Sequence, residues 1–248
     1  MGRGEARIAF AIVLAGGTGR RMGEASKPDV VVAGRRMIDH VLGELAAQGV
    51  PAIVVGPPDL DVGVSRRVTL VREDPPLGGP AAGIAAGYAA GVNGGHSAGS
   101  AAGHATGTSA EVRSAPRLVA ILACDAPFAP RVLPRLTAAH SSETSSAAHS
   151  GVTTSAAHSG NITSAGAVAI TPDGRLQRLL CVVEAGALGA AIDRLDSDGG
   201  VRDRSVRALL GGLPLTGVDV PEWVMDADTP DDVATLEGMS PDTPETSR

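Results

Sequence analysis

The stretch LAGGTGRRMGEASKP, from Leu14 to Pro28, gathers the residues of this chain best suited to do chemistry. Gly16, Gly17, Gly19 and Gly23 surround Arg20 and Arg21, and Lys27 follows. Lys27 is the only lysine in the sequence; every other basic residue is arginine. Glycines let a backbone approach a ligand closely, and a glycine-rich turn between a strand and a helix gathers N–H groups around an anion. Three cations beside such a turn suit a nucleoside triphosphate. The stretch is not a GxxxxGK[ST] loop, and it misses GxGxxG because Gly23 falls one residue late after Gly17-Thr18-Gly19. A plain strand-to-helix turn would explain the glycines alone. The lysine tips the reading toward phosphate: on a solvated face arginine and lysine exchange freely, whereas a tight phosphate site favours a compact ammonium over a planar fork.

Three other clusters have chemical potential. LACDAPF (122–128) is an apolar strand ending in Asp125, where a carboxylate could hold Mg²⁺ against substrate phosphates. In WVMDADTPDD (223–232), Asp226 and Asp228 share a face if the segment is extended. Thr229-Pro230-Asp231-Asp232 is a helix start, so Asp228 or Thr229 could equally be its cap. VREDPPLGGPAAG (71–83) places Asp74 and a Gly-Gly-Pro turn after a strand. Each has an ordinary structural explanation. Their common position at the end of a strand is what points to a site.

The elements that must position these clusters follow from apolar patterning. IAFAIVL (8–14), AIVVG (52–56), VTLVRE (68–73), RLVAILACD (117–125), AGAVAI (165–170) and LLCVVE (179–184) read as strands. Ile38, Val41, Leu42 and Leu45 recur at helical spacing, and GPAAGIAAGYAAG (79–91), the region after 130, a helix around 186–195 and one opening at 229–232 complete the pattern. Strands alternating with helices predict an α/β sandwich with a mostly parallel sheet. Two Gly/Ser/Ala/Thr-rich segments, 92–114 and 140–165, interrupt it as flexible low-complexity inserts. They contain five of the six histidines, and the second repeats SAAHSG; both features read as low complexity rather than metal binding. The expected organisation is one domain over 1–237 with a frayed tail, 238–248.

The net charge of −6 argues against a general nucleic-acid binder. No apolar run approaches the ~20 residues of a membrane helix. Cys124 and Cys181 form no metal-binding pattern and read as buried thiols in a reducing cytoplasm.

Taken together, LAGGTGRRMGEASKP, REDPPLGGPAAG, LACDAPF, GRLQRLLCVVE and MDADTPDDVATL resemble the successive motifs of the molybdenum cofactor guanylyltransferases, the MobA-like nucleotidyltransferases. The resemblance implies a three-layer α/β/α Rossmann-like sandwich with a mostly parallel sheet, and transfer of GMP from GTP to the phosphate of molybdopterin or molybdenum cofactor, with release of pyrophosphate and with Mg²⁺ as cofactor. It also implies encounters with other proteins of molybdenum cofactor biosynthesis. Residue by residue, it implies that Leu14, Ala15, Gly16 and Gly17 wrap the nucleotide, and that Gly19, Arg20 and Arg21 continue the phosphate loop. Lys27 would neutralise phosphate charge. Asp74, Gly79 and Pro80 would hold the guanosine. Asp125 would hold Mg²⁺, joined by Asp228 and, on the acceptor side, Asp226. Arg175 and Gln177 would face the pterin. The chain departs from the family pattern at Ser26, Ala81 and Arg178, where aspartate, leucine and proline are usual. Gly16 favours guanine, since the related cytidylyltransferases favour alanine there. The rival readings are a cytidylyltransferase, a sugar-phosphate nucleotidyltransferase and a non-catalytic GTP-binding adaptor.

Overall fold

A computed structural model describes residues 6–16, 26–63, 65–94, 117–143 and 164–239. In chain order its elements are β1 (Arg7–Leu14), β2 (Val31–Val32), β3 (Arg35–Arg36), α1 (Met37–Ala47), β4 (Ala52–Val55), β5 (Val68–Val71), α2 (Gly79–Asn93), β6 (Arg117–Ala123), α3 (Leu133–Glu143), β7 (Gly166–Ile170), β8 (Leu176–Glu184), α4 (Ala185–Ser197), α5 (Val206–Leu210), β9 (Leu215–Asp219) and α6 (Pro230–Met239). Single 3₁₀ turns cover Lys27–Asp29 and Ala129–Val132.

Seven strands form one sheet in the order β5-β4-β1-β6-β8-β7-β9. β1 lies parallel to both β4 and β6, and only β8 runs against its neighbours. The continuous apolar runs read as strands because both faces of this sheet are covered. Along β1, Ala11 and Val13 pack with Ile38, Val41 and Leu45 of α1 and with Leu133 and Leu136 of α3. Phe10 and Ile12 face the other way, against Ile84 of α2, Leu188 of α4 and Leu209 of α5. The result is the expected α/β/α arrangement.

Helix α2 approaches the sheet through glycines spaced four apart on one face. A Cβ on Gly91 would lie 2.4 Å from the Phe10 ring, and one on Gly87 would lie 2.7 Å from Ile12. Phe10 is fully buried and cannot yield outward. Overpacking of this kind costs about 1–3 kcal/mol. Gly91→Val is therefore expected to lower unfolding free energy by about 2–3 kcal/mol, measured by urea titration, with nucleotide affinity unchanged.

Several boundaries differ from the sequence expectation. Val92 and Asn93 are the last turn of α2, and His140–Glu143 the last turn of α3, so each insert begins as a helix. His140 is fully buried, with Nε2 3.3 Å from Glu184, and so has a packed role that a low-complexity reading denies it. Ser164 is buried and hydrogen-bonds Thr216 of β9. Helix α6 runs through Met239, two residues into the expected tail. The rest of the inserts and tail lies outside the described residues. Cys124 and Cys181 are both buried free thiols. Burial pushes the Cys181 thiol up to about 12 and raises that of Cys124 as well.

Candidate active site

Lys27 meets the carboxyl end of β6, one of the parallel strands. It enters on a 3₁₀ turn whose Pro28 is buried. Its Nζ donates to Asp125 Oδ2 at 2.8 Å and also to Asp228 Oδ1. Asp125 follows β6, the strand beside β1, and Asp228 sits one residue before the Thr229–Pro230 start of α6. The backbone links the two carboxylate segments directly, because Ala227 N–H donates to the Asp125 carbonyl at 2.8 Å.

The sequence left open whether Asp228 merely caps α6, and the geometry decides it. Asp232 Oδ2 accepts from the N–H groups of Asp228 and Thr229 and from the Thr229 hydroxyl, while Asp232 N–H donates back to Thr229 Oγ1. This reciprocal arrangement is a capping box with aspartate in place of the usual Glu or Gln. The Asp228 side chain is thereby released toward Lys27.

Burial by itself would lower the pKa of Lys27. The hydrogen bonds and charges of Asp125 and Asp228 outweigh it and hold the ammonium above the ordinary lysine range. Asp226 lies on the same side and accepts from Gln177 Nε2 at 2.9 Å. Burial raises its pKa, the Gln177 hydrogen bond opposes that rise, and the charges of Asp125 and Asp228 add to it. Asp125 Oδ1 is buried and makes no hydrogen bond. A buried, unpartnered carboxylate oxygen is a donor suited to a hard cation, although no group of three acidic, histidine or cysteine side chains placed to hold a metal occurs among the described residues.

The nucleotide residues divide into two groups. Leu14, Ala15 and Gly16 continue β1 into the site, with Ala15 N–H bonded to the Val55 carbonyl at 2.8 Å. Gly17, Gly19, Arg20 and Arg21 lie outside the described residues. Asp74, Gly79 and Pro80 lie beyond β5, at the entrance to α2. Asp74 is exposed, and the described residues give its side chain no hydrogen bond or ion pair, so the structure does not bring it to Lys27. A contact absent from the sequence reading holds this entrance. Asp203 N–H donates to the Gly78 carbonyl at 2.7 Å, and Arg202 donates to the Pro75 carbonyl at 3.2 Å. On the other side of Asp226, Arg175 and Gln177 line a cleft of about 620 Å³.

Residues 11–211 match the model of the MobA-like NTP transferase domain. The chain belongs to that family. A curated molybdenum cofactor guanylyltransferase from Bradyrhizobium sp. (strain ORS 278) is 34% identical over 134 residues, which cover 53% of this chain and 55% of the relative. The match thus spans about half the length of each. Molybdopterin-guanine dinucleotide biosynthesis protein A from Archaeoglobus fulgidus superposes with a TM-score of 0.53 at 19% identity, covering 92% of this chain and 97% of that one. The 2-C-methyl-D-erythritol 4-phosphate cytidylyltransferase from Thermus thermophilus gives 0.56 at 15%, covering 94% and 98%. At those identities the two likenesses show the fold alone. Among the described residues no helix is long and apolar enough to cross a membrane.

Proposed function

We propose that this MobA-like chain transfers GMP from GTP to the phosphate of molybdopterin, or of its molybdenum-loaded form, and releases pyrophosphate. One observation carries the reading: the sole lysine is held between Asp125 and Asp228 at the carboxyl end of the sheet, beside a cleft bearing Arg175 and Gln177. The name of the Bradyrhizobium relative supports the choice of base and acceptor.

In the proposed reaction an oxygen of the acceptor phosphate attacks the α-phosphorus of GTP. One P–O bond forms, the bond to the β-phosphate oxygen breaks, and pyrophosphate leaves with the electron pair. Both reactants are anionic, so positioning and charge neutralisation supply most of the rate. Lys27 neutralises the triphosphate, and Arg20 and Arg21 in the glycine loop add fixed positive charge. Leu14, Ala15, Gly16, Gly17 and Gly19 cradle the nucleotide with backbone groups, while Asp74, Gly79 and Pro80 border the guanosine. Arg175 and Gln177 orient the acceptor, and Asp226 holds the Gln177 amide in place. Asp125 and Asp228 would hold Mg²⁺, and the free Oδ1 of Asp125 fits that role. When bound, the ion supplies Lewis-acid neutralisation of phosphate charge. A cytoplasmic setting accords with two free thiols.

Pyrophosphate release tests the reading, with GTP, CTP and ATP compared in the presence of Mg²⁺ and molybdopterin. Acceptor-dependent release with GTP alone is expected. Release with CTP alone would overturn the choice of base and leave the chemistry. GTP binding without release from any nucleotide would favour another acceptor or a non-catalytic GTP-binding adaptor.

A further inference from the structure

The cleft beside Asp226 is lined not only by Arg175 and Gln177 but also by Arg178. Adjacent residues of a regular strand point to opposite faces. Here the strand is not regular. Val168 of β7 pairs with Cys181 of β8, yet the next residue, Ala169, pairs with Gln177, so positions 178–180 have no partner on β7. On the opposite side β8 keeps its register with β6 through Leu180. Bulges of this kind re-aim side chains and recur beside active sites. This one brings Arg178 to the same cleft as Gln177.

The electrostatics of the cleft leave Arg178 available to a ligand. Among the described residues no carboxylate lies within ion-pair distance of its guanidinium, and the contact of Arg178 with Cys181 is through the backbone, its carbonyl accepting from the thiol at 3.4 Å. Arg175 has a single carboxylate, Asp173, at 3.6 Å, and is itself 84% exposed. Asp226 also lines the cleft, and it accepts from the Gln177 amide at 2.9 Å. Two guanidiniums line this cleft with two carboxylates, Asp173 exposed beside Arg175 and Asp226 bonded to the Gln177 amide; the guanidinium pair matches a phosphate monoester, which a planar fork binds through paired hydrogen bonds.

We propose that Arg178, re-aimed by the bulge in β8, binds the phosphate of the acceptor together with Arg175 and so selects a phosphorylated acceptor. The proposal rests on the reading that the acceptor occupies this cleft. Arg178 is a binding residue, so its loss should appear in acceptor KM rather than in the handling of GTP. A charge-assisted hydrogen-bond pair to phosphate corresponds to roughly 10- to 100-fold in affinity.

The test compares wild type with Arg178→Ala, Arg178→Gln and Arg178→Lys in steady-state pyrophosphate release, varying molybdopterin and GTP separately. The glutamine variant keeps much of the side-chain stem and guards against a mere loss of packing. The expected result is a rise in molybdopterin KM of at least about 10-fold for alanine and glutamine, partial recovery with lysine, and GTP KM and kcat within about twofold of wild type. An unchanged molybdopterin KM would overturn the role of Arg178 and leave the transferase reading intact. If wild type releases no pyrophosphate, the transferase reading fails, and equilibrium binding of molybdopterin without nucleotide then decides the arginine. Affinity lost on Arg178→Ala would sustain the phosphate subsite; equal affinity, or none in wild type, would remove it.

Discussion

Lys27→Met is expected to lower kcat/KM at least ~10³-fold in a protein that remains folded, because a fixed cation acting on a transferring phosphoryl group supplies that order of rate. The magnitudes separate catalysis from stability. The Lys27 side chain is 22% exposed, and its partners Asp125 and Asp228 are 18% and 50% exposed. Solvent at Asp228 screens the repulsion left between the two carboxylates, so the stability cost is about 1 kcal/mol. For a domain of this size that is a shift of about 2–4 °C in Tm. Methionine also fills the apolar stem, which limits loss of packing. Lys27→Arg keeps the charge and loses the compact shape, so an intermediate loss of roughly 10-fold or more is expected. Parallel thermal melts and initial rates check both variants. A Lys27→Met protein turning over like wild type would remove Lys27 from the mechanism.

Asp125→Asn is the second large effect. Asparagine is nearly isosteric, so the link from Ala227 N–H to the residue-125 carbonyl should persist. The change removes one negative charge at the group whose Oδ1 is buried without a partner. If that oxygen receives Mg²⁺, the variant loses a ligand and retains a neutral amide that binds hard cations less well. Turnover is expected to fall roughly 10²- to 10³-fold, with a higher Mg²⁺ requirement. Binding supplies a readout independent of turnover. Ligand at about 100 times its Kd stabilises a protein by about 2.7 kcal/mol. Mg²⁺ with GTP should therefore raise the wild-type Tm by several degrees and the Asp125→Asn Tm by much less. Equal shifts would take Asp125 out of nucleotide and metal binding.

The sequence made the central strands legible because β1, β4 and β6 are buried on both faces and read as unbroken apolar runs. It did not reveal β9, since Leu215–Asp219 is five residues long, only one of them buried, and carries a glycine at its centre. Nor did it reveal the first residues of β8: the polar pair Gln177 and Arg178 resembles a loop, yet Leu176 and Gln177 pair with Ile170 and Ala169 of β7 and Arg178 lies in the bulge that follows. The candidate site was legible residue by residue but not as a geometry. Lys27 meets partners 98 and 201 positions away, and only the sheet topology brings them together. Asp228 looked like a cap because local spacing allowed it. The capping box of Thr229 and Asp232 takes that role instead, a choice that spacing alone could not make. His140 was missed for a related reason: composition placed it in an insert, while helical continuation of α3 buries it.

The central claim is that a nucleotidyl group moves from GTP to a phosphorylated pterin on this site. Transfer of label from [α-³²P]GTP to molybdopterin measures that step directly. The account predicts acceptor-bound label with wild type and Mg²⁺, matched by an equal amount of pyrophosphate and lost with Lys27→Met. GTP bound by wild type while all label remains in GTP, with molybdopterin present in excess, would contradict it.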